Sequence, residues 1–295
     1  MKAAFHGPLP AGGGREARAD LGIGIGLALI HLGALAAFVP FFFSWSGLIV
    51  CAVLFYLTGG IGVCLGYHRI LTHRSLRVPK WLEYAIVTCG AFALQGGPIT
   101  WIGTHRAHHT YSDTERDPHS ARKGFWWCHV LWLFAPNAAR PKEDVLRRLT
   151  PDLSNDRYYC FLEKNHAWLQ LALGFALLAA GGWSWLVWGG FVRLVLLYHA
   201  TWSVNSAAHG WGYRSWGAGD VSTNNWFVAL VSWGEGWHNN HHAFPFSARH
   251  GLRWYELDLT WLTIQGLEKL GLATKVRVPS PAMLLRGPAP RSVAV

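Results

Sequence analysis

Two long apolar regions alternate with two polar blocks along this chain. Residues 21–67 contain no Asp, Glu, Lys or Arg. In residues 167–208, Arg193 is the only residue of these four types. A helix rises ~1.5 Å per residue and the hydrocarbon core of a bilayer is ~30 Å thick, so each region is long enough for two crossings. Pro40 interrupts the first region, and a Gly-Gly pair at 181–182 interrupts the second. The pattern therefore predicts four transmembrane helices in two hairpins, at about 21–39, 43–66, 167–182 and 185–208.

The polar blocks, residues 67–165 and 209–279, are predicted to lie on one face of the membrane. The apolar stretch Trp81–Gly97 is short for a crossing, and we expect a buried or interfacial helix there. The aromatic-rich segment Phe125–Phe134 suits a second interfacial helix. The expected fold is an all-α integral membrane protein with a single domain over 21–279, a disordered tail at 1–20 and an irregular tail at 280–295.

The distribution of charge predicts the orientation in the membrane. The N-terminal tail carries Lys2, Arg15 and Arg18, whereas the short connections within the two hairpins carry no Lys or Arg. The positive-inside rule therefore places both termini and both polar blocks in the cytoplasm. The formal net charge of +10 suits anionic lipid headgroups, and it also suits a phosphate-bearing acyl carrier such as coenzyme A. No motif indicates nucleic acid as a partner.

Four groups of polar residues contain most of the candidate functional side chains. Two of them are H-x-x-H-H boxes, whose histidines lie on one face of a helix because positions i, i+3 and i+4 are neighbours there. The other two lie at the ends of the predicted second and fourth crossings, so all four are expected at the cytoplasmic edge. Their residues are His68 and His73; His105, His108 and His109; Asn205 and His209; and His238, His241 and His242.

Nine imidazoles that converge on one place indicate a site for two metal ions. One zinc ion takes four ligands, so nine are too many for it. Neutral imidazole suits iron, copper and zinc, and the ligand type alone does not choose among them. The membrane setting favours iron, because paired redox metals beside a lipid-facing cavity suit oxygen activation against an unactivated C–H bond. Asn205, one turn before His209, is expected either to reach one ion through water or to make an interhelical hydrogen bond.

Other polar residues of the chain are expected to have structural roles. We expect the run of Asp113, Glu115 and Asp117 to supply helix-end charge and salt bridges to Arg106, Arg116 or Arg122, with a role as metal ligands or bridges as the alternative. Arg193 is expected to snorkel to the outer boundary of the membrane. The remaining histidines are expected to lie outside the metal site, with His6 and His250 in contact with solvent or headgroups. The others of this set are His31, His119, His129, His166 and His199.

The predicted second helix is placed to line a slot for a long apolar substrate. Tyr56 and Gly60 precede His68 by twelve and eight residues and share a face of the helix. Helical rise puts them ~18 and ~12 Å from His68. Tyr56 is therefore a candidate for the floor of an acyl tunnel, with ordinary packing in the bundle as the alternative.

The boxes resemble those of the membrane fatty acid desaturases, in the branch that contains stearoyl-CoA desaturase and the bacterial delta-9 acyl desaturases. The resemblance covers about residues 48–271 and rests on four motifs: GYHRILTHRS, THRAHHTYSDTERDPHS, TWSVNSAAH and GEGWHNNHHAFP. It implies four transmembrane helices under a cytosolic cap, with the nine histidines and a water-linked Asn205 around two irons. For a bacterial member it implies the inner membrane.

The resemblance also implies the reaction and its partners. Oxygen and two electrons would introduce a double bond into a long-chain acyl group, with acyl-CoA and the delta-9 position expected and a membrane acyl-lipid as the alternative carrier. The electrons would come from ferredoxin or a cytochrome of the b type. No haem domain follows the last box, so we expect this donor to be a separate protein.

Three other functions fit parts of the pattern. A hydroxylase would use the same metal site with a different substrate pose. A soluble-type di-iron carboxylate protein would need paired E-x-x-H motifs, but glycines flank the one at Glu235 and the one at Glu163 opens a membrane span. A metal transporter would place its site near the middle of the bilayer, whereas these boxes lie at the ends of the spans.

Overall fold

The long apolar segments of the sequence form the longest helices of the protein. The structure is a computed structural model, which describes residues 21–134 and 142–288. Within these residues, three helices are long and apolar enough to cross a membrane: Leu21–Phe38, Trp45–Thr72 and Arg157–Gly210. The same residues contain isolated β-bridges but no named strand, which confirms the all-helical expectation.

The helices of the described residues are of three types. The α-helices are Leu21–Leu35, Trp45–Phe55, Lys80–Ala91, Pro98–Tyr111, Phe125–His129, Glu143–Leu149, Pro151–Ser154, Arg157–Trp185, Arg193–Asn205, Ala207–Gly210, Trp226–Val231, His238–Ala243, Leu259–Lys269 and Pro281–Arg286. The π-helices are Tyr56–Thr72 and Leu186–Val192, and short 3-10 turns lie at Ala36–Phe38, Pro40–Phe42, Ala121–Lys123 and Leu131–Leu133.

The longest helical run, Arg157–Gly210, is broken at Gly182. This glycine has φ 65° and ψ −161°, a conformation outside the helical region that a residue with a Cβ rarely adopts. Beside the break, Ser184 Oγ lies 2.7 Å from Ser44 Oγ, and Trp185 Nε1 donates to Ser46 Oγ at 3.0 Å. These bonds join the break to the connection that precedes helix Trp45–Thr72.

Helix Trp45–Thr72 continues past residue 66, where the apolar pattern predicts its end. From Tyr56 onward its hydrogen bonds follow the π pattern, and His73 N donates to His68 O at 3.1 Å, five residues back. A π-helix has a wider turn than an α-helix, which brings residues five apart close together. The local conformation thus explains how His68 and His73 face the same site.

Several boundaries in the cap differ from those predicted. The stretch predicted at Trp81–Gly97 forms helix Lys80–Ala91 and then leaves the helical conformation. The aromatic segment is a short helix and a 3-10 turn instead of one helix. The tail predicted to be irregular from residue 280 contains helix Pro281–Arg286. The tail at 1–20 lies outside the described residues.

A hydrophobic core joins the histidine-bearing helices. Leu65 and Tyr67 from the second long helix pack with Ile86, Ile102 and Leu162, all of which are buried. Burial of a large apolar side chain contributes about 1.5–3 kcal/mol. The core therefore fixes the helix of His68 against helix Pro98–Tyr111, which carries the first H-x-x-H-H box.

Arg193 does not snorkel to the membrane boundary, and that prediction is wrong. Its side chain is fully buried, Nη1 donates to Phe92 O at 2.6 Å and Nη2 donates to Gln170 Oε1 at 2.9 Å. Nε donates to Gly189 O at 3.0 Å. Arg193 therefore ties three segments of the bundle together, because neutral acceptors inside the bundle satisfy its donors in place of water.

We expect Arg193→Leu to destabilise the protein, because it leaves Phe92 O and Gln170 buried without their donor. The expected loss is about 2–4 kcal/mol, seen as a lower midpoint of thermal unfolding in detergent. Arg157→Leu, which removes an exposed arginine, is the control and should leave the midpoint almost unchanged. Equal midpoints for both variants would show that the bonds of Arg193 do not support the bundle.

Candidate metal centre

Five histidines from three helices and one turn form the first cluster. Its members are His68, His73, His105, His109 and His241, and one ring nitrogen of each lies within 4.8 Å of the others. The Nε2 atoms of successive rings are separated by 3.2 Å for His68 and His241, 2.9 Å for His241 and His109, and 3.0 Å for His109 and His105. All of these rings turn the same nitrogen toward a common point.

The spacing of these nitrogens suits a bound metal ion. Imidazole nitrogens lie about 2.1 Å from a transition metal, so neighbouring ligands of one ion are about 3.0–3.4 Å apart. The Nε2 atoms of His73 and His105 are 3.4 Å apart, at the upper end of that range. Two neutral imidazoles can share one proton in a hydrogen bond, but five nitrogens around one point are better satisfied by one cation.

Four histidines form the second cluster, directly beside the first. They are His108, His209, His238 and His242, and all four are buried. The ring centroids of His238 and His242 lie 4.3 Å apart, and those of His209 and His238 lie 4.9 Å apart. The ring of His242 is also 4.8 Å from that of His109 in the first cluster. The nine predicted histidines therefore divide into adjacent groups of five and four.

Two features show that these residues fit bound metal. The Nε2 atoms of His108 and His238 are buried and make no hydrogen bond to any described residue, although buried polar atoms usually have a partner. Burial and the neighbouring imidazoles hold the pKa values of His105, His109 and His241 well below the usual range for histidine. These rings are therefore neutral near pH 7, which is the form that binds metal.

Carboxylates lie behind the second cluster. His108 Nδ1 donates to Asp117 Oδ2 at 2.9 Å, and His242 Nδ1 donates to Asp220 Oδ2 at 2.7 Å. His209 Nδ1 lies 3.6 Å from Asp113 Oδ1. A carboxylate at Nδ1 fixes the tautomer and leaves Nε2 free to act as a ligand. Asp113 and Asp117 follow the first box closely, but the charge pattern favours arginine partners for them, and Asp220 lies eighteen residues before the second box, so the sequence does not reveal this role.

A second carboxylate group lies behind the first cluster. Glu235 Oε2 accepts from His68 Nδ1 at 2.7 Å and lies 3.2 Å from His250 Nδ1. Its other oxygen binds the fully buried Arg69, which also pairs with Asp258 at 2.9 Å. Burial opposes ionisation of Glu235, but the charges of His250, His68 and Arg69 bring its pKa well below the usual value. Glu235 is thus held as an anion beside the ring of His68.

Two predictions about the surroundings of the boxes are wrong. Arg106 pairs with Asp152 at 2.7 Å, and none of the ion pairs among residues 21–134 and 142–288 joins Asp113 or Asp117 to an arginine. Burial raises the pKa of Asp117, but the charges of His108 and His119 outweigh burial and bring it below the usual value. His250, expected at a surface, is 1% exposed, and its ring lies 4.5 Å from that of His241.

Five further histidines of the described residues lie outside the two clusters, as predicted: His31, His119, His129, His166 and His199. One of them contacts a cluster ring, and His6 lies outside the described residues. The ring of His119 stacks at 4.4 Å on that of His108. His31, His199 and His129 form a separate hydrogen-bonded row, with ring nitrogens 3.3 and 3.1 Å apart. His129 Nδ1 lies 2.8 Å from Ser206 Oγ.

Three predicted site residues, Asn205, Tyr56 and Gly60, lie on helices that lead to the clusters. Asn205 ends helix Arg193–Asn205, one turn before His209. The Tyr56 hydroxyl lies 2.6 Å from Thr263 Oγ1. A Cβ at Gly60 would lie 2.8 Å from the Tyr56 ring, so only glycine leaves room for that ring. The roles of Asn205 and Tyr56 toward a metal or a substrate stay predictions.

Residues 43–273 match the model of one protein family, described as fatty acid desaturase. This range contains both histidine clusters and the carboxylates behind them. The chain belongs to the fatty acid desaturase family. This desaturase is therefore an oxidoreductase, and the resemblance seen in the four motifs is confirmed.

Named relatives act on acyl groups with different carriers. The chain is 55% identical over 249 residues to an sn-1 stearoyl-lipid 9-desaturase of Anabaena variabilis, covering 84% of this chain and 90% of that protein. It is 52% identical to an sn-2 palmitoyl-lipid 9-desaturase of a Nostoc species, covering 84% and 87%. It is 47% identical to an icosanoyl-CoA 5-desaturase of Limnanthes douglasii, covering 87% and 72%.

We expect Asp117→Asn to weaken metal binding by about 10–100-fold, because an amide does not supply the charge that orients and polarises His108. The measurement is a titration of the metal-depleted protein with Co²⁺, followed by its optical bands. Glu115→Gln is the matched control, since Glu115 is exposed in the same loop. Unchanged Co²⁺ affinity in Asp117→Asn would mean that the carboxylate does not support the cluster.

Proposed function

We propose that this protein is an oxygen-dependent fatty acyl desaturase that binds two iron ions, one in each histidine cluster. One observation carries the proposal: in a chain of the desaturase family, two adjacent groups of imidazoles each include a histidine from the end of a long apolar helix, His68 in one and His209 in the other. The number of nitrogens and the absence of carboxylates from the two innermost groups suit two ions of intermediate softness.

Residues of the protein orient the imidazoles of this site. Iron, when bound, supplies the redox chemistry that lets oxygen and two electrons remove two hydrogens from an acyl chain. Six of the nine rings are buried, which limits the access of water to the reacting region, and Asp117, Asp220 and Glu235 hold ring orientations through Nδ1. Asn205 is proposed to contact the four-histidine ion through a water molecule, which would complement its smaller set of imidazoles.

The proposed membrane arrangement has four crossings. The run Arg157–Gly210 contains 54 residues, about 80 Å of helix and more than twice the thickness of a bilayer core. The break at Gly182 lies beside the connection between the first two helices, which supports two antiparallel crossings. Both termini, the cap and the metal centre then face the cytoplasm, and in a bacterium the membrane is the inner one.

The proposed reaction forms a double bond at the delta-9 position of a long-chain acyl group. The names of the two relatives above 50% identity that we describe support this position. The sequence predicts acyl-CoA as the carrier, but the relatives include both acyl-lipid and acyl-CoA enzymes. The proposal therefore specifies a long-chain acyl group and includes both carriers. The proposed electron donor is a separate protein, ferredoxin or a cytochrome of the b type.

Other chemistries have less support. A hydroxylase would need the same clusters, but the named relatives above are all desaturases. A soluble-type di-iron carboxylate site would place Glu235 and Glu163 on the metals. In the structure Glu235 binds Arg69 and two histidines, and Glu163 accepts from the backbone N–H of Ile99. Neither carboxylate is therefore available as a bridge between ions.

Expression in a host without its own desaturase should yield fatty acids with one new double bond, read as methyl esters by mass spectrometry. His108→Ala and His241→Ala should each abolish the product, because each cluster then loses one ligand. His166→Ala is the control and should keep the product, since His166 lies outside both clusters and its ring bonds to Glu163 O in the preceding turn. Normal product from either cluster variant, or a hydroxylated product from the parent chain, would contradict the proposal.

We also propose that Tyr56 forms the floor of the acyl tunnel. Its ring is held by Thr263 and lies 6.4 Å from the ring of Trp233, which fixes its position. Tyr56→Ala should lengthen the chains that are accepted, so the product profile shifts toward longer acyl groups. Tyr56→Phe, which keeps the ring, should retain the original profile. An unchanged profile in Tyr56→Ala would leave Tyr56 with ordinary packing only.

A further inference from the structure

A groove of about 770 Å³ opens at the surface next to His73 of the five-histidine cluster. Its lining includes two carboxylates, Glu83 and Asp152, but five lysines and arginines. We call it the basic groove, after Arg74, Arg77, Lys80, Lys275 and Arg277.

Two chain segments build the basic groove and hold its cations in place. Arg77 N donates to Thr274 O and Thr274 N donates to Arg77 O, both at 2.8 Å. Arg277 N donates to Ser75 O at 2.9 Å. The residues after His73 and those at 274–277 are thus paired along their backbones. The side chains of the groove therefore project from a fixed frame.

Several of these cations are not neutralised by the protein. Arg74 pairs with Asp152, and Lys80 pairs with Glu83 and Asp156. No ion pair among the described residues involves Arg77, Lys275 or Arg277. All three residues are exposed to solvent. The basic groove consequently presents an excess of positive charge to molecules in the surrounding solution.

An arginine of the groove contacts the backbone of a cluster residue. Arg277 Nη2 donates to His73 O and to Arg74 O, each at 2.6 Å. The ring of His73 points inward, where Nε2 lies 3.4 Å from His105 Nε2. A path of one hydrogen bond and a few covalent bonds therefore joins the groove to the five-histidine cluster.

We propose that the basic groove is the docking surface for an acidic protein that delivers electrons to the metal centre. This inference rests on the proposed function, which requires two electrons per double bond. In that reaction O2 accepts two electrons from the carrier and two from the broken C–H bonds. With two protons from those bonds and two from solvent, it leaves as two water molecules, and the carrier is oxidised.

The position of the groove favours an electron carrier over the acyl substrate. Acyl carbons must reach the ions directly, whereas the observed link from the groove to the cluster runs from Arg277 through the backbone carbonyl of His73. An electron can travel along bonds through that backbone. Opposite charge on two surfaces accelerates encounter without tight binding, which suits a carrier that must arrive and leave for each electron.

The test is a double charge reversal, Arg77→Glu with Lys275→Glu, in the full chain reconstituted in lipid nanodiscs. The probes are a reduced [2Fe–2S] ferredoxin and a soluble b-type cytochrome, with binding measured at 50 and 300 mM NaCl. We expect affinity for at least one probe to fall tenfold or more at low salt, and its salt dependence to flatten. The control reversal, Arg116→Glu with Arg122→Glu, places the same charge change at exposed positions outside the groove and should alter affinity less than twofold.

Kinetic readouts separate docking from the other functions of the site. The reversal should raise the KM for the carrier and leave the metal content, the KM for the acyl substrate and reduction of the centre by dithionite unchanged. Unchanged affinity for both carriers would overturn the inference, and so would a raised KM for the acyl substrate alone, which would assign the groove to the substrate. A parent chain that binds the carrier but forms no double bond would contradict the proposed function and not the docking surface.

Discussion

The structure depends on one constraint: nine imidazoles, six of them buried and three partly buried, must be held together with ring nitrogens available to a metal ion. Buried histidines repel one another when protonated, and their unpaired nitrogens are costly when neutral. Carboxylates satisfy the Nδ1 atoms of several of these rings. Asp117, Asp220 and Glu235 each accept from a ring on the side away from the cluster. A metal ion bound among the Nε2 atoms satisfies the nitrogens on the other side of the rings.

The two clusters differ in the charges behind them. The four-histidine cluster has Asp113, Asp117 and Asp220 near its rings. The carboxylate behind the five-histidine cluster, Glu235, also pairs with the buried Arg69. The cluster with fewer imidazoles therefore has more negative charge around it. The long helices and the hydrophobic core hold these two unlike environments side by side at one end of the bundle.

Local patterns predicted much of this arrangement. The apolar runs predicted the long helices, and the spacing of the H-x-x-H-H boxes predicted rings on one face. The π-helical turn that brings His73 beside His68 has no simple periodic signal. Glu235, His250 and Asp220 were missed because their contacts depend on residues distant in sequence. Arg193 was mispredicted, since its acceptors are backbone carbonyls and Gln170, which a charge pattern does not reveal.

The most direct test of the account counts the metal ions. Protein purified under conditions that retain metal, or reconstituted with Fe²⁺ without oxygen, is analysed for iron by elemental analysis and for its environments by Mössbauer spectroscopy. The account predicts two irons per chain in two distinguishable sites with nitrogen ligands. One iron per chain, or none after reconstitution of folded protein, would contradict it.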